Sequence, residues 1–225
     1  MNFTQLKSGT SVEGEEIKAY KSEEKSESYN YLMAGVHGDE VEGVYLLKNL
    51  FDWLQDEDQQ VSAPFIIIPV LNVDGYRAGT RTNSHGVDLN RNLPSTHWVS
   101  KARDKKYYPG TNPLSEPENQ FLVKIFDKFP PKFILTLHSW KPMVNYNGDD
   151  CLKYAQIVSK YNNYPLVADI EGHPTPGSLG EFGPEKYNAQ VLTFEAPLIS
   201  ENLTLENIWQ ENEIALKSLI KSDLM

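Results

Sequence analysis

The chain has 225 residues, 40% of them hydrophobic and 23% charged, and 21 basic against 31 acidic residues leave a net charge of −10. These proportions are ordinary for a globular protein with one substantial core, and the length predicts a single domain spanning 1–225. The acidic balance argues against a general nucleic-acid or anionic-membrane binder, which needs a basic face, although two or three local arginines can still hold an anionic substrate.

The opening stretch, MNFTQLKSGTSVEGEE, lacks the charged-then-apolar pattern of a secretion signal. No apolar run approaches the roughly 20 residues of a membrane span. If the chain is full length, the expectation is a cytoplasmic protein. The polar stretch 20–30 reads as a solvated hairpin or loop, and NYLMAGV (30–36) then reads as a strand. A helix is predicted over 40–54, where Val41, Val44, Tyr45, Leu47, Leu50, Phe51 and Leu54 form one apolar stripe. PFIIIPVL (64–71) is a second strand. The region 72–113 lacks periodicity and is rich in Gly, Asn, Arg and Pro, and structureless stretches of that length are usually functional.

Ser115 and Glu118 stand at capping-box spacing before a helical stripe of Phe121, Leu122, Ile125 and Phe126. KFILTLH (132–138) and QVLTFE (190–195) are two further strands, and a C-terminal helix carries Leu205, Ile208, Trp209, Ala215, Leu216, Leu219 and Ile220. The four strand-like runs are apolar without alternation, which suits strands covered on both faces. Strands alternating with helices predict an α/β protein, a three-layer α/β/α sandwich on a mixed, mostly parallel sheet. The lone cysteine, Cys151, cannot form an internal disulfide and reads as a small, partly buried residue.

His37 and Glu40 lie between the first strand and the first helix, with Gly38 allowing a sharp turn. In open α/β sheets ligands gather outside the carboxyl ends of strands, and zinc accepts imidazole nitrogen and carboxylate oxygen together. A helix start favours acidic residues in any case, so His37 and Glu40 alone leave both readings open. His138 ends another buried-type strand and supplies a third donor, giving the two-His, one-Glu set of a catalytic zinc. Glu195 closes the fourth strand and would reach the same edge, where it suits the non-ligand base that a zinc hydrolase needs. Asp39 is read as orienting a ligand histidine or favouring the helix start. His85, His97 and His173 lie in loops, where a surface role is the default.

HxxE at 37–40, NVDGY at 72–76, TRTN at 80–83, GVDLNRN at 86–92, LHS at 137–139 and TFE at 193–195 stand in one order. Together they resemble the zinc carboxypeptidase family, the M14 metallopeptidases, over roughly residues 30–200. The resemblance implies one Zn2+ per chain on His37, Glu40 and His138, with Glu195 as general base and acid. By the same matching Arg81 would stabilise the oxyanion, and Asn90 with Arg91 would bind a free carboxylate of a small peptide substrate. The stretch GHPTPGSLGEFG (172–183) looks like that of the family's bacterial murein peptide amidases, which cut the γ-D-glutamyl–diaminopimelate bond in cell-wall recycling. The expected activity is therefore amide hydrolysis in a murein peptide. The family's peptidases usually place a mobile tyrosine over the site. Here His173 holds the nearest equivalent place, with Tyr187 a second candidate and Arg77 a further possible substrate contact. Two rivals are a deacylase of small N-acyl amino acids, similar to aspartoacylase and succinylglutamate desuccinylase, and a non-catalytic metal-dependent binding module.

Overall fold

The structure, a computed structural model, describes residues 1–56 and 61–225. In chain order its elements are β1 (Phe3–Gln5), β2 (Gly9–Thr10), β3 (Glu16–Ile17), β4 (Tyr20–Ser22), β5 (Tyr29–Ala34), α1 (Val41–Gln55), β6 (Phe65–Ile68) and α2 (Val73–Ala78). There follow α3 (Pro117–Lys128), β7 (Pro131–Trp140), β8 (Met143–Asn147), α4 (Cys151–Asn162), β9 (Leu166–Val167), α5 (Leu179–Tyr187), β10 (Gln190–Pro197) and α6 (Leu205–Ile220). The four predicted strands correspond to β5, β6, β7 and β10, and the three predicted helices to α1, α3 and α6.

Eight strands form one sheet in the order β1-β4-β6-β5-β7-β10-β8-β9. The inner four, β6, β5, β7 and β10, run parallel, while β4 joins β6 and β8 joins β10 antiparallel. Alternate residues of each inner strand point to opposite faces, because the side-chain period of a strand is two. Leu32, Ala34, Phe65, Ile67, Phe133, Leu135 and Leu137 pack into one cluster with α1, α4 and α6. Tyr31, Met33, Ile66, Ile68 and Ile134 pack into a second cluster with α3 and α5. Helices on both faces of a mixed, mostly parallel sheet are the expected three-layer α/β/α architecture. They also explain why the inner strands are apolar without alternation: neither face meets water.

The parallel register positions the site. β10 pairs with β7 so that Glu195 lies beside His138, and β5 pairs with β7 so that Ala34 lies beside Leu137. The chain leaves β5 at Ala34, and His37 follows within three residues at the same sheet edge. His138 and Glu195 do not end their strands, since β7 runs on to Trp140 and β10 to Pro197, but the three chemistry-bearing residues meet near the carboxyl ends of three adjacent parallel strands.

Several elements differ from the sequence expectation. Within 20–30, Tyr20–Ser22 is strand β4 and Tyr29 and Asn30 already belong to β5, so only 23–28 is irregular. Ser115 and Glu118 make no capping box: α3 begins at Pro117 behind Glu116, which caps nothing with its side chain. The reason is competition. Ser115 Oγ donates to Glu116 Oε1 at 2.6 Å, while Glu118 Oε2 accepts from Asn83 Nδ2 at 3.1 Å. The region 72–113 is partly ordered as α2, with Asn72 Oδ1 accepting from Gly75 N at 2.9 Å as its cap. Helix α5 forms despite Pro184 because Ser178 caps it and Leu179 and Phe182 bury against the sheet. Cys151 is buried, its Sγ lies 3.2 Å from Val191 O, and burial pushes its thiol up to about 12, so it is chemically quiet.

Candidate active site

His37 and Glu40 occupy the turn between β5 and α1. That turn is held by the segment 71–81: Leu71 N donates to Ala34 O at 3.1 Å, Asn72 N to Gly35 O at 2.8 Å, and Gly38 N to Arg81 O at 3.4 Å. Gly38 lies so close to α2 that a Cβ would sit 2.0 Å from the carbonyl carbon of Gly75. Gly38→Ala is therefore expected to force the two segments apart, lowering stability by about 1–3 kcal/mol and moving His37 relative to Glu40. Thermal unfolding and zinc content of the variant check this together.

Glu40 stands at the N-cap position of α1, yet its side chain makes no cap hydrogen bond. The helix-start reading therefore does not account for it. Its Oε1 lies 2.7 Å from His37 Nδ1 and its Oε2 2.7 Å from His138 Nδ1, while the two Nδ1 atoms are 3.2 Å apart. All three residues are buried. Each imidazole is oriented from behind: His37 Nε2 donates to Asp88 Oδ1 at 3.2 Å, and His138 Nε2 is hydrogen-bonded to Thr136 Oγ1 at 3.0 Å. A histidine that spends Nε2–H on a carboxylate turns the lone pair of Nδ1 inward, as a metal ligand requires.

The convergence of two such nitrogens and a carboxylate fits a zinc ion by donor chemistry as well as by geometry, since each residue's donor atom lies within 4.8 Å of the others'. The second carboxylate, Asp88, is fully buried and takes the orienting part, 51 residues from His37 in the chain. Asp39, expected to share that part, is exposed at the cavity edge instead. Burial alone would raise the carboxyls of Glu40 and Asp88, but His37 holds both well below the usual carboxylate range, aided by His138 at Glu40 and by Arg81 and Arg91 at Asp88. Burial pulls His37 down, and Glu40 and Asp88 more than restore it.

Glu195 lines the same cavity from β10. Burial, reinforced by the charge of Glu40 and opposed by His138 and Arg81, raises its carboxyl to about 7. Its Oε2 is buried and has no hydrogen-bond partner among the described residues. An orphaned carboxylate oxygen in a polar cavity is costly unless a ligand or water meets it.

Arg81 reaches the donor cluster from the α2 side. Its Nε and Nη2 donate to Asp88 Oδ2 at 3.1 and 2.9 Å, and its Nη1 lies 3.3 Å from Glu40 Oε1 and 3.2 Å from His37 Nδ1. Asn90 and Arg91 sit in a short 3-10 turn, Leu89–Arg91, capped by Asp88. Asn90 Oδ1 accepts from Leu179 N at 2.8 Å, and Arg91 Nη1 donates to Asn90 O at 2.6 Å. Both line the cavity, whose volume is about 470 Å³.

His173 lies on the rim, its ring edge-on to Trp140 at 5.0 Å, and its Nδ1 accepts from Arg103 Nη2 at 2.9 Å. Tyr187 does not reach the site. Its hydroxyl donates to Asp127 at 2.8 Å and its ring packs on Phe126 and Phe182, in the layer of α3 and α5. Arg77 is likewise elsewhere, paired with Glu13 and Glu15. His85 and His97 are exposed beside Glu116 and Glu181. Sequence reasoning overlooked Asp88, although it stands inside GVDLNRN, and it overlooked Tyr107, Arg103 and Lys106, which line the cavity from a stretch without periodicity.

The sequence pattern of the family described as zinc carboxypeptidase matches residues 2–183. Glu195 lies beyond that match. Murein peptide amidase A of Vibrio campbellii is 30% identical over 209 residues, covering 88% of this chain and 81% of that protein. The same enzyme of Escherichia coli K12 is 27% identical over 205 residues, covering 86% and 81%. Among solved structures, the murein-tripeptide amidase of Escherichia coli O157 superposes with a TM-score of 0.77 at 24% identity, covering 95% of this chain and 90% of that one. Carboxypeptidase A of Helicoverpa armigera superposes at 0.81 with 16% identity, covering 99% and 70%, a likeness of fold.

Proposed function

Since this chain belongs to the zinc carboxypeptidase family, a family of metallo-hydrolases, we propose that it hydrolyses an amide bond next to a free carboxylate in a murein-derived peptide, with the γ-D-glutamyl–diaminopimelate bond as its target. The substrate class is supported by the likeness to murein peptide amidase A, which extends over 88% of the chain. The hydrolytic chemistry is supported by one observation above the rest: the unpartnered Oε2 of Glu195 in the same cavity as the His37–Glu40–His138 cluster.

His37, Glu40 and His138 would hold the zinc, which would supply Lewis acidity at the scissile carbonyl. Glu195 removes a proton from the attacking water as the new C–O bond forms. It then delivers that proton to the departing nitrogen as the C–N bond breaks, leaving a carboxylate and an amine. Arg81, a guanidinium fixed on Asp88, offsets the negative charge that develops on the carbonyl oxygen, and such preorganised stabilisation is typically worth about 3–4 kcal/mol. Arg91 and Asn90 receive the substrate's free carboxylate, and His173 forms part of the wall beside it. No described helix is long and apolar enough to cross a membrane. In this reading the protein works in the cytoplasm, on murein peptides returned for recycling.

Incubation with murein tri-, tetra- and pentapeptides, followed by mass spectrometry, tests the substrate. Release of diaminopimelate from the tripeptide is the expected product. Turnover of N-acyl amino acids with none of the peptides would replace this reading by the deacylase. Arg91→Lys checks the carboxylate contact: a point charge replaces a planar fork, so KM is expected to rise by about tenfold or more while kcat changes less.

A further inference from the structure

Four cations surround one phenol ring in this cavity. The guanidinium carbons of Arg81, Arg91 and Arg103 lie 5.3, 5.5 and 4.6 Å from the centre of the Tyr107 ring, and Lys106 Nζ lies 5.0 Å from it. The arrangement is unexpected in a chain of net charge −10, and like charges gathered at such range repel one another. Arg81 is neutralised by Asp88 and Glu40. Arg91, Arg103 and Lys106 have no carboxylate within ion-pair distance among the described residues, although Asp39 and Asp169 line the same cavity. Burial depresses the guanidinium of Arg91, another mark of a cation that lacks a full complement of counter-charge. Only one of these three cations is needed for a terminal carboxylate.

Arg103 is also held in place. Its Nη1 donates to Gly172 O at 2.8 Å and its Nη2 to His173 Nδ1 at 2.9 Å, and the guanidinium also hydrogen-bonds the Tyr107 hydroxyl, which fixes the head group while a guanidinium's five N–H groups leave it further donors. Tyr107 brings both guanidinium groups, of Arg91 and Arg103, within cation–π range of one ring.

We infer that Arg103 and Lys106, seated on Tyr107 beside Arg91, form a second anionic subsite that takes a further carboxylate of the substrate and so selects peptides carrying two acids close to the cleaved bond. This rests on the reading of the cavity as a peptide hydrolase site, and it names the feature by which the cavity chooses among peptides. A γ-linked glutamate and a diaminopimelate each leave such an acid free, whereas an ordinary peptide with a neutral side chain does not.

Two panels test it on the zinc-loaded protein. The first is the tripeptide L-alanyl-γ-D-glutamyl-diaminopimelate with two forms of it, each with one non-terminal carboxylate converted to a carboxamide. The second is a pair of N-acyl dipeptides ending in glutamate or glutamine. Turnover is measured as kcat/KM, and binding by calorimetry on Glu195→Gln. The wild type is expected to favour the additional acid by about 10- to 100-fold, the worth of a charge-assisted hydrogen bond. In Arg103→Gln/Lys106→Gln that preference is expected to shrink to about twofold, with zinc content and melting temperature unchanged. Lys105→Gln removes a charge from a side chain outside the cavity and is expected to keep the preference, which excludes a diffuse field effect.

Cleavage of the tripeptide with no penalty for either carboxamide, or with a penalty that the double variant keeps, overturns the subsite and leaves the murein reading standing. An Arg103-dependent preference seen only with the dipeptides overturns the murein reading and leaves the subsite standing. Binding of neither panel overturns both.

Discussion

Glu195→Gln is expected to reduce hydrolysis by about 10²- to 10⁴-fold while the protein keeps its zinc. The amide matches the carboxylate in shape, and Glu195 does not belong to the His37–Glu40–His138 cluster, so nothing that holds the ion is removed. What is removed is the basic oxygen. Oε2 has no hydrogen-bond partner among the described residues, so in the wild type it is open to receive the proton. Activity against the tripeptide, with zinc counted by elemental analysis, decides the matter; a variant that loads zinc and still hydrolyses at the wild-type rate would exclude Glu195 as base.

The same residue sets the acid side of the pH profile. Burial raises its carboxyl to about 7, so the basic form is populated above that pH and lost below it. A cation alongside favours the carboxylate and shifts the midpoint downward. The wild-type kcat/KM is therefore expected to fall with decreasing pH, with an apparent midpoint under 7, and this limb is expected to vanish from the residual activity of Glu195→Gln.

The second large effect concerns His138. Its replacement by alanine is expected to abolish zinc binding and hydrolysis together. His138 Nδ1 is one of three converging donors, and its loss leaves His37 and Glu40 with an incomplete set. Two consequences can be measured apart from activity. In the wild type, zinc at about a thousand times its Kd adds about 4 kcal/mol to stability, which for a chain of this length raises the melting temperature by about 8–16 °C. In His138→Ala the same zinc is expected to raise it by no more than about 2 °C. A full zinc-dependent rise in the variant would show that the ion binds elsewhere.

Much of the site was legible because its residues stand near the carboxyl ends of strands. His138 and Glu195 close runs of apolar residues that are too short for helices and too uniform for a solvent-facing sheet. Residues that end neighbouring parallel strands meet at one edge, whatever the details of packing. The glutamate of HxxE needed the structure to resolve, because a helix start and a metal site both favour a carboxylate there. At its own N-cap Glu40 makes no cap hydrogen bond and turns its carboxylate to His37 and His138 instead, which favours the metal site.

What the sequence by itself determined was the alternation of strands and helices, the burial of the inner sheet on both faces, and the shared edge of His37, Glu40, His138 and Glu195. The first two follow from local periodicity, which acts over a few residues, and the third from the place of each residue next to the end of an apolar run. What only the tertiary structure decided was which distant groups serve that edge. Asp88 rather than Asp39 orients His37, Tyr187 packs away in the layer of α3 and α5, and Tyr107 gathers Arg91, Arg103 and Lys106 against the cavity. Those placements depend on the path of 72–113 and 166–178. Hydrogen bonds between residues far apart in the chain set part of that path, such as Asn92 Nδ2 to Pro109 O and Arg103 Nη1 to Gly172 O, and no local pattern encodes them.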